Sequence, residues 1–169
     1  MLGYVMTEER GGTDRLLAQL AEGFEAEGRR VIGAVQINSE LPNQVKCRME
    51  LRLLPSGERV TISQSLGALA SGCRLDPDGL ERAVHHAETA LEGGAELVLI
   101  NKFGKQEIEG RGFRDLIAAA LAEGIPVLLG VNRKNFGAFQ AYAGDFAEPV
   151  AAELSAMRDW CLGMWAGKM

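Results

Sequence analysis

The residues best equipped to do chemistry lie in one stretch, Asn101-Lys102-Phe103-Gly104-Lys105-Gln106-Glu107-Ile108-Glu109-Gly110-Arg111-Gly112, directly after the apolar run LVLI at 97–100. It holds three glycines and three basic side chains. Between 101 and 134, six basic residues (Lys102, Lys105, Arg111, Arg114, Arg133, Lys134) stand against four acidic ones (Glu107, Glu109, Asp115, Glu123), a local positive excess in a chain of net charge −5. Glycine lets the backbone approach a ligand closely, and ammonium and guanidinium groups supply charge and donors. The chemistry on offer is binding of an anion: a phosphate, a carboxylate or a tetrahedral oxyanion. At about ten residues, the stretch is long for a strand-to-helix connection, ordinarily ~2–6, and long loops are where binding functions concentrate. A solvated surface loop with no specific partner is the competing explanation.

A second glycine-bearing stretch, Thr7-Glu8-Glu9-Arg10-Gly11-Gly12-Thr13-Asp14, sits between an apolar run at 2–6 and a helical pattern. A phosphate-binding loop there needs G-x-x-x-x-G-K-[ST]. With Gly12 as the last glycine, Thr13 occupies the lysine position and Asp14 the magnesium hydroxyl. A plain strand-to-helix turn explains this loop better. Ser63-Gln64-Ser65 and Ser71-Gly72-Cys73-Arg74 offer hydroxyls and an arginine that complete an oxyanion pocket or simply cap turns. Cys73 beside Arg74 has no histidine nearby in sequence to act as its base. His85 and His86 are adjacent on one helix, about 100° apart, which suits surface residues better than ligands of one ion.

The elements that must position these groups follow from periodicity. Leu16, Leu17, Leu20 and Phe24 recur at helical spacing, with Asp14 as the expected N-cap and an end near Gly28. VIGAVQI at 31–37 reads as a buried strand. From Lys46 to Gln64 the pattern alternates: Cys47, Met49, Leu51 and Leu53 point one way, and Lys46, Arg48, Glu50 and Arg52 the other. With a turn at Pro55-Ser56-Gly57-Glu58, this predicts a hairpin with one wet face, extending an edge of the sheet. Asp76-Pro77 caps a helix whose stripe is Leu80, Ala83, Val84, Ala87 and Leu91. A strand at 97–100, a helix over Phe113–Leu121, a strand at 125–131 and a last helix through Val150, Leu154, Met157, Cys161 and Met164 complete the chain, with Trp160 and Trp165 half-buried. Apolar strands alternating with amphipathic helices predict one α/β domain over 1–169, its mostly parallel sheet covered by helices on both faces, with a β-hairpin insertion at about 46–64. Ligands of such folds bind at the carboxyl ends of the strands. If the strands at 97–100 and 125–131 are neighbours, Lys102, Asn132 and Arg133 meet at one end of the sheet.

The composition narrows the function classes. The 169 residues are 47% hydrophobic and 24% charged, as in globular domains, with a pI of about 5.2 that argues against a general nucleic-acid binder. The cysteines Cys47, Cys73 and Cys161 form no metal-binding pair and fit a reducing compartment. No apolar run reaches the ~18 residues of a membrane span, and the N-terminus lacks a basic region ahead of its apolar stretch, so a cytoplasmic protein is expected.

The motifs Ile62-Ser63-Gln64-Ser65-Leu66-Gly67, Gly72-Cys73-Arg74-Leu75-Asp76 and Leu99-Ile100-Asn101-Lys102-Phe103-Gly104-Lys105-Gln106-Glu107, with Glu109-Gly110-Arg111-Gly112-Phe113, carry a resemblance over nearly the whole chain. It resembles a bacterial domain family of unknown function and, more distantly, the THEP-type nucleoside triphosphatases of the P-loop class. Gly104, Lys105 and Glu107 keep the uncharacterised family's pattern. The triphosphatases place an aspartate and a glutamate after the corresponding strand, to hold magnesium through water and to activate the attacking water. Here those positions are Asn101 and Lys102, and the first-loop positions are Thr13 and Asp14. The resemblance therefore implies a P-loop NTPase-like fold whose metal site has been replaced by a cation. Magnesium-dependent hydrolysis depends on cations positioned around the γ-phosphate, so no magnesium and no resident metal are expected.

The resulting expectation is a non-hydrolysing protein that binds a nucleotide or a tetrahedral oxyanion, with a loose family association to molybdenum or related oxyanion physiology. Lys102 and Lys105 supply charge, Asn101 and Gln64 hydrogen bonds, and Arg74, Arg111 and Arg133 outer contacts, with Gly11, Gly12, Thr13 and Gly104 also among the expected binding residues. Two alternatives stay open. One is an active nucleoside triphosphatase with Glu107 or Glu109 as base; the other is an interaction subunit using the hairpin edge or the last helix to bind itself or a partner.

Overall fold

The computed structural model describes residues 1–9, 11–39, 48–64 and 74–168. Its strands are β1 (Leu2–Val5), β2 (Val31–Ser39), β3 (Arg48–Leu54), β4 (Arg59–Thr61), β5 (Ser63–Gln64), β6 (Arg74–Leu75), β7 (Leu97–Ile100), β8 (Val127–Gly130) and β9 (Ala147–Pro149). The helices are α1 (Gly12–Ala26), α2 (Pro77–Glu92), α3 (Lys105–Ile108), α4 (Arg114–Ala122), α5 (Phe136–Ala143) and α6 (Leu154–Ala166), with 3-10 turns at Arg133–Asn135 and Gly144–Phe146. The main sheet runs β4-β3-β2-β7-β8-β1-β9, and β5 pairs with β6 in a separate ribbon. From β2 to β9 the pairings are parallel, whereas β3 and β4 run antiparallel at one edge. It is an α/β fold with a mixed, mostly parallel sheet.

Alternation along the central strands explains the two helical layers. Ile32, Ala34, Val98 and Ile100 pack toward α2, α4 and α5, while Val31, Val35, Leu97 and Leu99 pack toward α1 and α6. A strand buried on both faces has no polar side to spare, which is why these runs read as unbroken apolar sequence. Each fully buried Leu, Ile, Val or Phe stabilises this arrangement by about 1.5–3 kcal/mol. Among the described residues, no helix is long and apolar enough to cross a membrane.

The hairpin is present and extends the β2 edge, but its second face is wet only in part: Arg59 of β4 is exposed there, whereas the β3 side chains are largely covered. Leu51 and Leu53 join the core beneath α2. On the opposite side Glu50 is 8% exposed, and Arg52 makes an ion pair at 3.2 Å with Glu25 of α1. The charged side chains alternate as expected; Glu25 of α1 partners Arg52, and Arg59 across the hairpin lies 3.7 Å from Glu50. Lys46 and Cys47 lie outside the described residues.

Four other expectations are corrected. Asp14 does not cap α1: the N-cap is Gly11, held at φ 75°, with Asp14 inside the first turn, where a carboxylate still opposes the positive end of the helix dipole. The stretch at 101–112 is not free of regular structure, since α3 folds within it. Val150 precedes α6 instead of belonging to it. Finally, α5 and β9 were not expected, yet β9 pairs with β1 and closes the far edge. Asp76 caps α2 as anticipated, its Oδ1 accepting the Asp78 N–H at 3.1 Å with Pro77 in the first turn.

Candidate functional site

β7 and β8 are neighbours, with Ile100 opposite Leu129, so the loops that follow them emerge side by side. Gly130 brings them together. A β-carbon there would stand 2.4 Å from the Asn101 carbonyl oxygen and 2.6 Å from Thr13 Cγ2. The absence of a side chain at Gly130 thus lets the start of α1 and the end of β7 converge. The Phe103 N–H donates to the Gly130 carbonyl at 2.8 Å and ties the next loop down.

Beside this junction a cavity of about 220 Å3 opens between the hairpin, α2 and the loop after β7. Met49, Leu51, Ile62, Leu75, Leu80 and Phe113 supply its apolar wall. Its polar side consists of Gln36, Asn101, Lys102, Lys105, Gln106 and Glu107, with Gly104 among them. Of the expected site residues, Asn101, Lys102, Gly104 and Lys105 are therefore gathered around one concavity. Lys102 and Lys105 are exposed, and the Lys102 stem packs over Gly104, with Cγ and Cδ 3.6 Å from where a β-carbon would stand. Arg15, Arg29, Arg52, Arg59, Arg111, Arg133 and Arg158 are all ion-paired. Among the described residues, neither Lys102 nor Lys105 has a carboxylate partner.

Two buried polar side chains shape the loop. Asn101, 3% exposed, has its amide turned to Gln36 of β2: Oδ1 accepts the Gln36 N–H at 3.0 Å, and Nδ2 donates to Gln36 Oε1 at 2.9 Å. Glu107, also 3% exposed, accepts the Gly104 N–H at 2.9 Å on one oxygen and the Phe113 N–H at 3.1 Å on the other. Burial raises the Glu107 pKa above the usual carboxylate value, and these N–H bonds oppose the rise. Gly112, at φ 61°, leaves the space that the carboxylate fills: a β-carbon there would be 1.6 Å from Glu107 Oε2. Glu107 thus clasps both ends of a segment that would otherwise splay.

The remaining expected residues lie elsewhere. The first loop is closed on itself: Gly12 N–H donates to the Glu9 carbonyl at 3.1 Å, and the Thr7 and Thr13 hydroxyls are 3.1 Å apart. Gly11 is the N-cap of α1, and Arg133 pairs across to Glu8 on this side. Arg111 is held within its own loop by Gln106 and Glu109. Gln64 is exposed in β5, opposite Arg74 of β6; the Arg74 side chain and residues 65–73, Cys73 included, lie outside the described residues. His85 is exposed and His86 half-buried on α2. No group of three or more His, Cys, Asp or Glu that could hold a metal occurs among the described residues. Gln36 joins the site without having been expected there. Its signal was a lone amide in the apolar strand VIGAVQI, which needs a buried partner.

Solved structures share this fold. The crystal structure of THEP1 from the hyperthermophile Aquifex aeolicus aligns with a TM-score of 0.60 at 16% identity, over 90% of each chain. The solution structure of a human cancer-related nucleoside triphosphatase aligns with a TM-score of 0.60 at 13% identity, over 98% of this chain and 96% of that one. The likeness is one of fold, and the fold is P-loop NTPase-like. The molybdenum import ATP-binding protein ModC 2 of Bradyrhizobium diazoefficiens is 37% identical over 147 residues, 87% of this chain. That stretch is 16% of the relative's own length. The model of the family described as "Protein of unknown function (DUF2478)" matches residues 2–160, and the chain belongs to that family.

Proposed function

We propose that this protein binds a small anion, a nucleotide or a tetrahedral oxyanion, at the carboxyl end of its sheet and does not hydrolyse it. The observation that carries this reading is the pair Lys102 and Lys105: two exposed lysines that line one concavity, without carboxylate partners among the described residues. Unpaired cations that share a concave surface with a dry wall attract an anion more strongly than the same charges dispersed in water.

Retention without hydrolysis rests on what stands where a triphosphatase of this fold carries acids. Asn101 is committed to Gln36, and Lys102 is a cation. Glu107, the acid left in this loop on the cavity, has both oxygens on backbone N–H groups, and in this reading it braces the loop. The similarity to a molybdenum import ATP-binding protein makes molybdate a ligand to test first, with a bacterial cytoplasm as the expected setting.

Thermal denaturation with phosphate, molybdate, ADP and ATP tests the reading. Tm rises with at least one ligand, and Lys102→Ala abolishes the rise. A ligand present at about 100 times its Kd stabilises by about 2.7 kcal/mol, well within reach of the measurement. Unchanged melting across the panel refutes binding, and phosphate release from an NTP that stops in Glu107→Gln refutes the non-hydrolysing part.

A further inference from the structure

The wall of the cavity says more about its occupant than the two lysines do. Met49 and Leu51 of β3, Ile62, Leu75 of β6, Leu80 of α2 and Phe113 present hydrocarbon, on the hairpin and α2 side. The amides that border them, Gln36 and Asn101, are joined through the Gln36 N–H and Oε1. A bare tetrahedral oxyanion would reach the ammonium groups and leave that wall facing water. The volume, about 220 Å3, exceeds the ~150 Å3 of an apolar cavity that holds a benzene ring.

We infer that the cavity takes an amphipathic anion: a small molecule with one acidic head group at Lys102 and Lys105 and a ring-sized apolar body between β3 and α2. Ligand sites typically combine a mostly apolar surface with a few polar groups that fix orientation, and this arrangement divides those tasks between the two sides of one cavity. The inference rests on the anion reading above and adds the body to it.

Isothermal titration of the full chain with phosphate, phenyl phosphate and benzyl alcohol separates the contributions of head and body. Phenyl phosphate binds at least about tenfold more tightly than phosphate, because burying a ring adds apolar transfer free energy to the same head contact. Benzyl alcohol, which has the ring without the charge, binds more weakly than phenyl phosphate. Lys105→Ala weakens phosphate and phenyl phosphate alike. Met49→Gln and Leu75→Gln, both at half-buried positions, bring the ratio of phenyl phosphate to phosphate affinity down toward one. Equal affinity for phosphate and phenyl phosphate, or indifference of phenyl phosphate to both wall variants in folded protein, overturns the amphipathic inference while the anion reading stands. Benzyl alcohol binding as tightly as phenyl phosphate overturns the inference from the other side. Failure of every anion to bind removes the reading beneath it as well.

Discussion

Gln36 and Asn101 close on one another through two hydrogen bonds, joining β2 to the carboxyl end of β7 at the cavity. The pair is a substitution experiment already posed by the fold. In Asn101→Asp, the new carboxylate either faces Gln36 Oε1 without a proton between them or forces Gln36 to turn over, and in both cases a charge is buried. The expected loss is about 1–3 kcal/mol, read as a Tm several degrees lower at neutral pH. Burial raises the pKa of such a carboxyl, so the deficit shrinks as pH falls and the group accepts its proton. No magnesium-dependent turnover appears, because restoring one acid leaves Lys102 in the other position. A variant as stable as the parent would mean that the amide pair contributes nothing.

Glu107 gives a pH prediction with a definite sign. Its folded pKa is raised, chiefly by burial, so the folded chain holds this proton more tightly than the unfolded chain. Its contribution to stability is therefore greatest below the unfolded carboxylate value, ~4.3. It declines as pH climbs through the raised folded value. Glu107→Gln removes that segment of the pH profile. The variant also sets its amide NH2 against a backbone N–H, of Gly104 or Phe113, at a cost of about 1–3 kcal/mol. Urea melts of both proteins across pH 4 to 8, compared as a difference, check both parts. A difference that grows with pH contradicts the sign.

Gly130→Ala tests the junction of the two loops. Its β-carbon would meet the Asn101 carbonyl oxygen at 2.4 Å, backbone that cannot swing aside, and Thr13 Cγ2 at 2.6 Å. Overpacking of this kind costs about 1–3 kcal/mol, so Tm falls by several degrees. Gly23→Ala, in α1 with open space around it, is the matched control and raises Tm slightly through helix propensity. Equal effects at the two positions would show that the close approach at Gly130 is not rigid.

Which parts were legible in the sequence follows from range. β2, β7 and β8 announce themselves because burial on both faces writes an unbroken apolar run, and Asp76-Pro77 announces α2 through purely local cap chemistry. β9 is three residues ending in Pro149, and only its partner β1, far away in sequence, makes it a strand. α5 has apolar residues around most of its circumference, so it lacks the stripe that marks an amphipathic helix. At the site, charge and glycine content pointed to 101–112 and placed Asn101, Lys102, Gly104 and Lys105 together. The division between Arg111, bound to Glu109 in its own loop, Arg133, bound to the distant Glu8, and the lysines on the cavity is a matter of side-chain pairing that composition does not encode.

That division yields a last prediction. Arg133 lies with Glu8 on the first-loop side, and both side chains are more than four-fifths exposed. An exposed pair of this kind contributes little to stability because water and salt screen it. Neither residue borders the cavity. Arg133→Ala should therefore leave the melting temperature and the anion-induced rise in Tm close to those of the parent, whereas Lys102→Ala removes the rise. Raising the salt concentration weakens the ligand effect in the parent and in Arg133→Ala to the same degree, since the same two ammonium groups act in both. If Arg133→Ala abolishes the anion response and Lys102→Ala preserves it, the anion sits over the start of α1, and the cavity beside β7 serves some other purpose.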